Sequence, residues 1–163
     1  MKLKKPYTLS QLKKVIGEHK KKGDTVVLAN GCFDLIHAGH IRYLKESKKK
    51  GDILVVALNS DSSIRNLKGR GRPILRQKER AEILSSFYFV DYITFFKEAT
   101  VEKVLLSLKP SIHVKGSDYT EETVPEKEIV KSYGGKVAIT GGPKIRSTSQ
   151  VIERIVSLVK NNK

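Results

Sequence analysis

The stretch TVVLANGCFDLIHAGHIRYLKESKKKGDILVVALN, Thr25 to Asn59, opens with one continuous apolar run and closes with another. Unbroken runs such as "TVVLAN" and "DILVVALN" suit strands buried on both faces, as in a parallel sheet. Between them "AGHIRYLKESKKKG" carries apolar residues at helical spacing, with its lysines on a face suited to solvent. Strand, helix and strand in that order form a right-handed crossover unit. The alternation continues outward: "VDYITFF", "SIHVKG" and "KVAIT" read as strands, while "PILRQKERAEILSSF", "TVEKVLLSLKP", "PEKEIVKSYGG" and "STSQVIERIVSLVKNN" read as helices. A helix over residues 9–22 precedes the first strand, within a helical extension over residues 1–23. "NLKGRGRP" reads as a basic loop, because its glycines interrupt any apolar period. The pattern predicts an α/β fold: a Rossmann-like, doubly wound parallel sheet of about five strands, in a single domain over residues 1–163.

Composition narrows the function. The 163 residues suffice for one substantial core. Thirty-two lysines and arginines against 17 acidic residues leave a net charge of +15, which suits an anionic partner, either nucleic acid or a phosphorylated small molecule. Basic and aromatic residues do not interleave as they do on base-stacking surfaces, which favours the small molecule. No apolar run follows "MKLKKPYTLSQLKK" and none is long enough to cross a bilayer, so the expectation is a cytoplasmic protein without a membrane partner. The single cysteine, Cys32, excludes an internal disulfide and forms no zinc-binding pattern.

In a doubly wound sheet, ligands bind beyond the carboxyl ends of the strands. "NGCFDLIHAGH" occupies such an end and holds two of the chain's four histidines, His37 and His40. At roughly 100° per residue, a three-residue step leaves two side chains about 60° apart around a helix, so the two imidazoles can converge. Gly39 between them permits close approach. The positive end of the helix favours an anion there, and paired imidazoles can donate hydrogen bonds to phosphate oxygens as charge accumulates. A capping histidine beside a core histidine is the competing reading. Ser147 or Thr148 is a natural N-cap for the last helix, and a helix start bearing hydroxyls beside Arg146 is also a phosphate site. His19 and His113 have no sequence neighbours that suggest chemistry.

The segments "NGCFDLIHAGHIRYLKESKKKGDILVVALNSD", "LKGRGRPI", "QKERAEIL", "VKGSDYT" and "RSTSQVIERI" resemble the HxGH nucleotidyltransferase superfamily. Within it, the chain is most similar to the adenylyltransferase domain of the bacterial heptose kinase/ADP-heptose synthase, in a stand-alone form served by a separate heptose kinase. The resemblance covers nearly the whole chain from Thr25 onward. It implies transfer of AMP from ATP to a sugar 1-phosphate, D-glycero-β-D-manno-heptose 1-phosphate, with magnesium bound to the ATP, in a homodimer. His37, His40 and Lys68 would then be catalytic. Asn30, Gly31, Cys32, Phe33, Gly39, Asn59, Asp61, Arg80, Lys115, Gly116, Asp118, Arg146, Ser147 and Thr148 would contact the nucleotide, and Asp34 and Arg72 the sugar phosphate. No side chain is assigned as a metal ligand. Relatives that use CTP with glycerol 3-phosphate, or ATP with FMN, keep the same motif and remain alternatives, as does a basic nucleic-acid-binding module.

Overall fold

The computed structural model describes residues 6–143 and 147–161. Along the chain come α1 (Leu9–Lys21), β1 (Val26–Gly31), α2 (Ala38–Lys48), β2 (Ile53–Asn59), α3 (Asp61–Lys68), α4 (Gln77–Ser85), β3 (Tyr92–Phe96), α5 (Glu102–Leu108), β4 (Ile112–Gly116), α6 (Lys127–Ser132), β5 (Lys136–Thr140) and α7 (Thr148–Asn161). All five strands pair in parallel, in the order β3-β2-β1-β4-β5. The chain lays β2 and β3 on one side of β1, then returns to lay β4 and β5 on the other. The direction of winding therefore reverses between β1 and β4, and a crevice opens beyond their carboxyl ends.

Helices cover both faces of the sheet, which is why its strands do not alternate apolar with polar. Val27, Ala29, Leu54, Val56 and Leu58 pack with Leu44 of α2 and Leu84 of α4. Their neighbours Val26, Leu28, Val55 and Ala57 pack on the opposite face with Leu12, Ile16, Leu105 and Val130, from α1, α5 and α6. The two-residue repeat of a strand sends successive side chains into different layers, so each position needs hydrocarbon. Leu12 and Ile16 are fully buried, so α1 is part of one of these layers. Thr8 starts it with a capping box: its hydroxyl accepts from the Gln11 N–H at 3.2 Å, and the Gln11 Oε1 accepts from the Thr8 N–H at 3.0 Å. His19, near the end of α1, is structural: its ring nitrogens meet Asp24 at 2.6 Å and the Tyr92 hydroxyl at 2.9 Å.

Two elements differ from the sequence expectation. Residues 61–68 form the helix α3, so the basic loop begins at Gly69 instead of Asn66. Ser60 caps this helix by accepting from the Ser63 N–H at 3.2 Å, and only Ser63 and Ile64 are buried on it. The following helix, α4, begins at Gln77, four residues after Pro73 where "PILRQKERAEILSSF" starts. The closing helix α7 is amphipathic as expected, but none of its described side chains is buried, and Ile155, Val156, Leu158 and Val159 stand exposed along it. Among the described residues, no helix is long and apolar enough to cross a membrane.

Candidate active site

A cleft of about 230 Å³ lies at the crevice between β1 and β4. His37, Gly39, His40 and Tyr43 form one wall, Gly116, Ser117 and Asp118 the β4 side, and Thr140 to Pro143 with Ser147 and Thr148 the rest. The two imidazoles converge, with ring centroids 3.9 Å apart and planes 28° from parallel. Their convergence arises from a helix start, since only one of the two residues lies on the helix. His37 is the extended N-cap of α2 and His40 its third residue, whose Nδ1 accepts from the His37 N–H at 3.4 Å. That bond fixes the tautomer, because a neutral ring accepting at Nδ1 carries its proton on Nε2. Burial, with His37 adding to it, holds the His40 pKa down at about 4. At neutral pH, His40 is an uncharged donor.

Phe33 supports this ring from behind. Its φ of 45° is rare for a bulky residue and turns the chain sharply after β1. The side chain is buried, with its centroid 5.3 Å from that of His40. A Cβ on Gly31 would meet the Phe33 ring at 3.0 Å. Phe33, expected at the nucleotide, is therefore a core residue through its side chain.

Farther along α2, three side chains bond to the opposite rim. The Tyr43 hydroxyl donates to the Val114 carbonyl at 2.9 Å, Ser47 and Thr140 share a hydroxyl contact of 3.0 Å, and Glu46 accepts from the Gly141 N–H at 2.6 Å. Gly141 has a φ of 99° and lies so close to Tyr43 that a Cβ would approach within 3.2 Å. Glycine is required there on both counts. Ser147 and Gln150 form a second capping box, with the Gln150 N–H donating to Ser147 Oγ at 3.2 Å and the Ser147 N–H to Gln150 Oε1 at 2.8 Å. A capped helix start thus faces the imidazole pair across the cleft. Arg146 lies outside the described residues.

The other expected polar residues gather on the far side of β1, around the segment from Lys68 to Arg80. The Asp34 carboxylate is buried and accepts from Arg72 Nε at 2.8 Å, from the Ile74 N–H at 2.9 Å and from the Leu75 N–H at 2.9 Å. Arg80 is 0 % exposed, and all three of its nitrogens are bonded: Nη1 to the Cys32 carbonyl at 2.6 Å, Nη2 to Asp61 at 2.8 Å and Nε to the Leu75 carbonyl at 3.0 Å. In this structure Asp34 and Arg72, expected at the sugar phosphate, and Arg80 and Asp61, expected at the nucleotide, are engaged with one another and with the backbone. A buried cation needs such partners, and they tie the basic loop to the end of β1. Asn59 is likewise turned inward, donating to Ser63 Oγ at 3.0 Å. Burial pushes the Cys32 thiol pKa up despite Lys68, Arg80 and Arg72 nearby, which disfavours the thiolate. Lys68 is exposed at the end of α3, outside the cleft lining.

Residues 28–159 match the cytidylyltransferase-like family over most of the chain's length. The chain belongs to that family. This cytidylyltransferase-like chain is 48% identical over 145 residues to the bifunctional protein HldE of Syntrophotalea carbinolica, covering 89% of itself and 30% of that protein. It is 45% identical over 148 residues to the HldE of Geobacter metallireducens, covering 91% of itself and again 30% of the relative. It thus spans about a third of the length of the curated relatives it matches. Among solved structures, a lipopolysaccharide core biosynthesis protein from Thermoplasma volcanium aligns with a TM-score of 0.60 and 37% identity, over 72% of this chain and 94% of that one. A pantoate-beta-alanine ligase from Francisella tularensis aligns with a TM-score of 0.62 at 16% identity, over 89% of this chain and 69% of that one, a likeness of fold alone.

In this cytidylyltransferase-like site, the sequence reading missed Tyr43, Thr140, Gly141, Gly142 and Pro143. The Gly-Gly-Pro run directly after "KVAIT" was the available signal, a strand exit built for close approach. Asn30 and Lys115, expected at the nucleotide, bond to each other at 3.2 Å beneath the cleft. Among the described residues there is no cluster of three metal-ligating side chains. Asp118 is the carboxylate lining the cleft, which fits a cation that arrives already bound to a triphosphate.

Proposed function

We propose that the chain transfers AMP from ATP to a sugar 1-phosphate in the cytoplasm, releasing pyrophosphate. The sugar is D-glycero-β-D-manno-heptose 1-phosphate and the product ADP-heptose. One observation carries this reading: two stacked imidazoles line an open cleft at the turning point of the sheet, opposite a capped helix start. Such a constellation suits a phosphorus centre that changes partners. An acceptor phosphate oxygen forms the new bond to the α-phosphorus while the bond to the bridging oxygen breaks, and the electron pair leaves with pyrophosphate. The acceptor is already anionic, so no base is needed, and catalysis consists of alignment and charge stabilisation. His40, uncharged and protonated on Nε2, donates to a non-bridging oxygen whose charge grows in the transition state, with His37 beside it. Ser147 and Thr148 receive outer phosphates, and Lys68, on a helix end followed by glycines, meets the departing charge. Magnesium would enter with ATP, near Asp118, and offset triphosphate charge.

The heptose assignment is supported by the similarity to HldE proteins and to the lipopolysaccharide core protein. A separate heptose kinase would supply the substrate. The exposed apolar stripe of α7 supports a homodimer, which light scattering would test. The deciding experiment is pyrophosphate release from ATP and from CTP, each with heptose 1-phosphate, glycerol 3-phosphate and FMN. Release is expected only with ATP and the sugar 1-phosphate, and turnover of CTP with glycerol 3-phosphate would overturn the assignment.

A further inference from the structure

A buried ionic network lies under the cleft, built from residues to which the proposed chemistry gives no part. His113 and Lys115 are two residues apart on β4 and so share one face of the sheet. Both meet Glu126, the residue that precedes α6. Lys115 Nζ donates to Glu126 Oε1 at 3.1 Å, and His113 Nε2 lies 3.7 Å from Oε2, a charge contact longer than a hydrogen bond. Lys115 also donates to Asn30 Oδ1 on β1 at 3.2 Å, and His113 Nδ1 lies 3.2 Å from the Leu28 carbonyl. All three ionisable groups are buried.

Charges withdrawn from water this far bring little net stability, since well-packed hydrocarbon would do as well. Their placement is more informative. Asn30 leads into the loop that carries His37, and Lys115 is followed at once by the cleft-lining Gly116, Ser117 and Asp118. The bond from Asn30 to Lys115 therefore bridges the two chain exits on either side of the crevice, and Glu126 is the anion that keeps the lysine there.

We propose that Glu126 is a positioning residue: it holds the Lys115 ammonium against Asn30, and so sets the spacing between the histidine loop of β1 and the Gly116 to Asp118 exit of β4. The spacing matters for turnover on the nucleotidyl-transfer reading, on which that part of the inference rests. Burial pushes the Glu126 carboxyl up, but His113 and Lys115 together outweigh it and hold its pKa at about 2. The anion is present at every working pH. The other groups that face the pair are His113 on β4, the Tyr119 ring 5.3 Å from Lys115 Nζ, and the Tyr43 phenol on α2, which burial keeps protonated with Glu126 adding to the effect.

Glu126→Gln tests this, because it keeps the shape and an acceptor oxygen but removes the charge. Lys115 would then be a buried ammonium without a counter-charge, no longer held against Asn30. In the full chain, lysine-selective NMR should find the Lys115 Nζ resonance displaced from its wild-type position. The Asn30 side-chain amide and the His37 ring resonances should shift with it. Turnover should fall on the order of tenfold, through misplacement of the reacting groups. Adding Lys115→Met to Glu126→Gln should lower turnover little further, and losses that simply multiply would mark the two as independent packing residues. Asn30 and His37 resonances that stay in place overturn the inference whatever the assay gives. If the Glu126→Gln resonances shift as expected but the wild type never releases pyrophosphate, the nucleotidyl-transfer reading is overturned and the positioning role stands. If Glu126→Gln does not fold, Glu126→Asp, which keeps the charge and withdraws it by one methylene, should give smaller shifts of the same resonances, and none would refute the role.

Discussion

On the α7 side of β1, His37, His40, Ser147 and Thr148 line open space, whereas on the α4 side Asp34, Arg72, Arg80 and Asp61 are bonded to one another and to the backbone. Both groups look alike in sequence, as polar residues in loops or at helix starts beyond the strand ends. The difference is access. The second group is walled in by the contacts that fix the loop after β1, and the first lines a cleft that a ligand can enter.

The largest expected effect breaks the closed side. Arg80→Met leaves the Asp61 carboxylate, the Cys32 carbonyl and the Leu75 carbonyl without their donor, so urea denaturation should find about 3 kcal/mol lost, near the lower bound for a broken buried pair. A loss below about 0.5 kcal/mol, the surface range, would place the guanidinium outside the structural frame. Next, His40→Ala should lower turnover by about a hundredfold while the unfolding midpoint at neutral pH changes little, since an open-side group acts on the transition state. Near-normal pyrophosphate release would remove the imidazole from the chemistry.

A third comparison sharpens the contrast through pH. The unfolded chain protonates His40 near its ordinary value of about 6.5, but the folded chain only near 4. Its folded-state contribution is complete above about pH 6.5 and declines as pH falls toward 4, because the unfolded state takes up the proton first. Stability curves of the wild type and of His40→Ala should therefore diverge in slope across that window, with the variant less sensitive to acid. Parallel curves would mean that the ring is not buried as described.

Much of the frame was legible in the sequence. Mostly apolar runs marked all five strands, because a sheet covered on both faces buries nearly every position. The helix α3 was not, since "DSSIRNLK" buries only Ser63 and Ile64 and gives no apolar stripe to read. Within the cleft, the histidine pair, Ser147 and Thr148 were read from local spacing, and Gly116 and Asp118 came with the family resemblance. The resemblance named Arg80 too, but not its buried bonds, because its partners lie 5, 19 and 48 residues away, and neither composition nor helical phase reveals a bond across the fold. Glu126 escaped for the same reason: its contact with Lys115 spans 11 residues and a strand exit.

The bonds along α2 carry a mechanical corollary. One rod bears the imidazoles at its tip, grips the middle of β4 through Tyr43, and grips the end of β5 through Glu46 and Ser47. Helix and strands thus form one bracket, in which no part can be displaced without straining its bonds to the others.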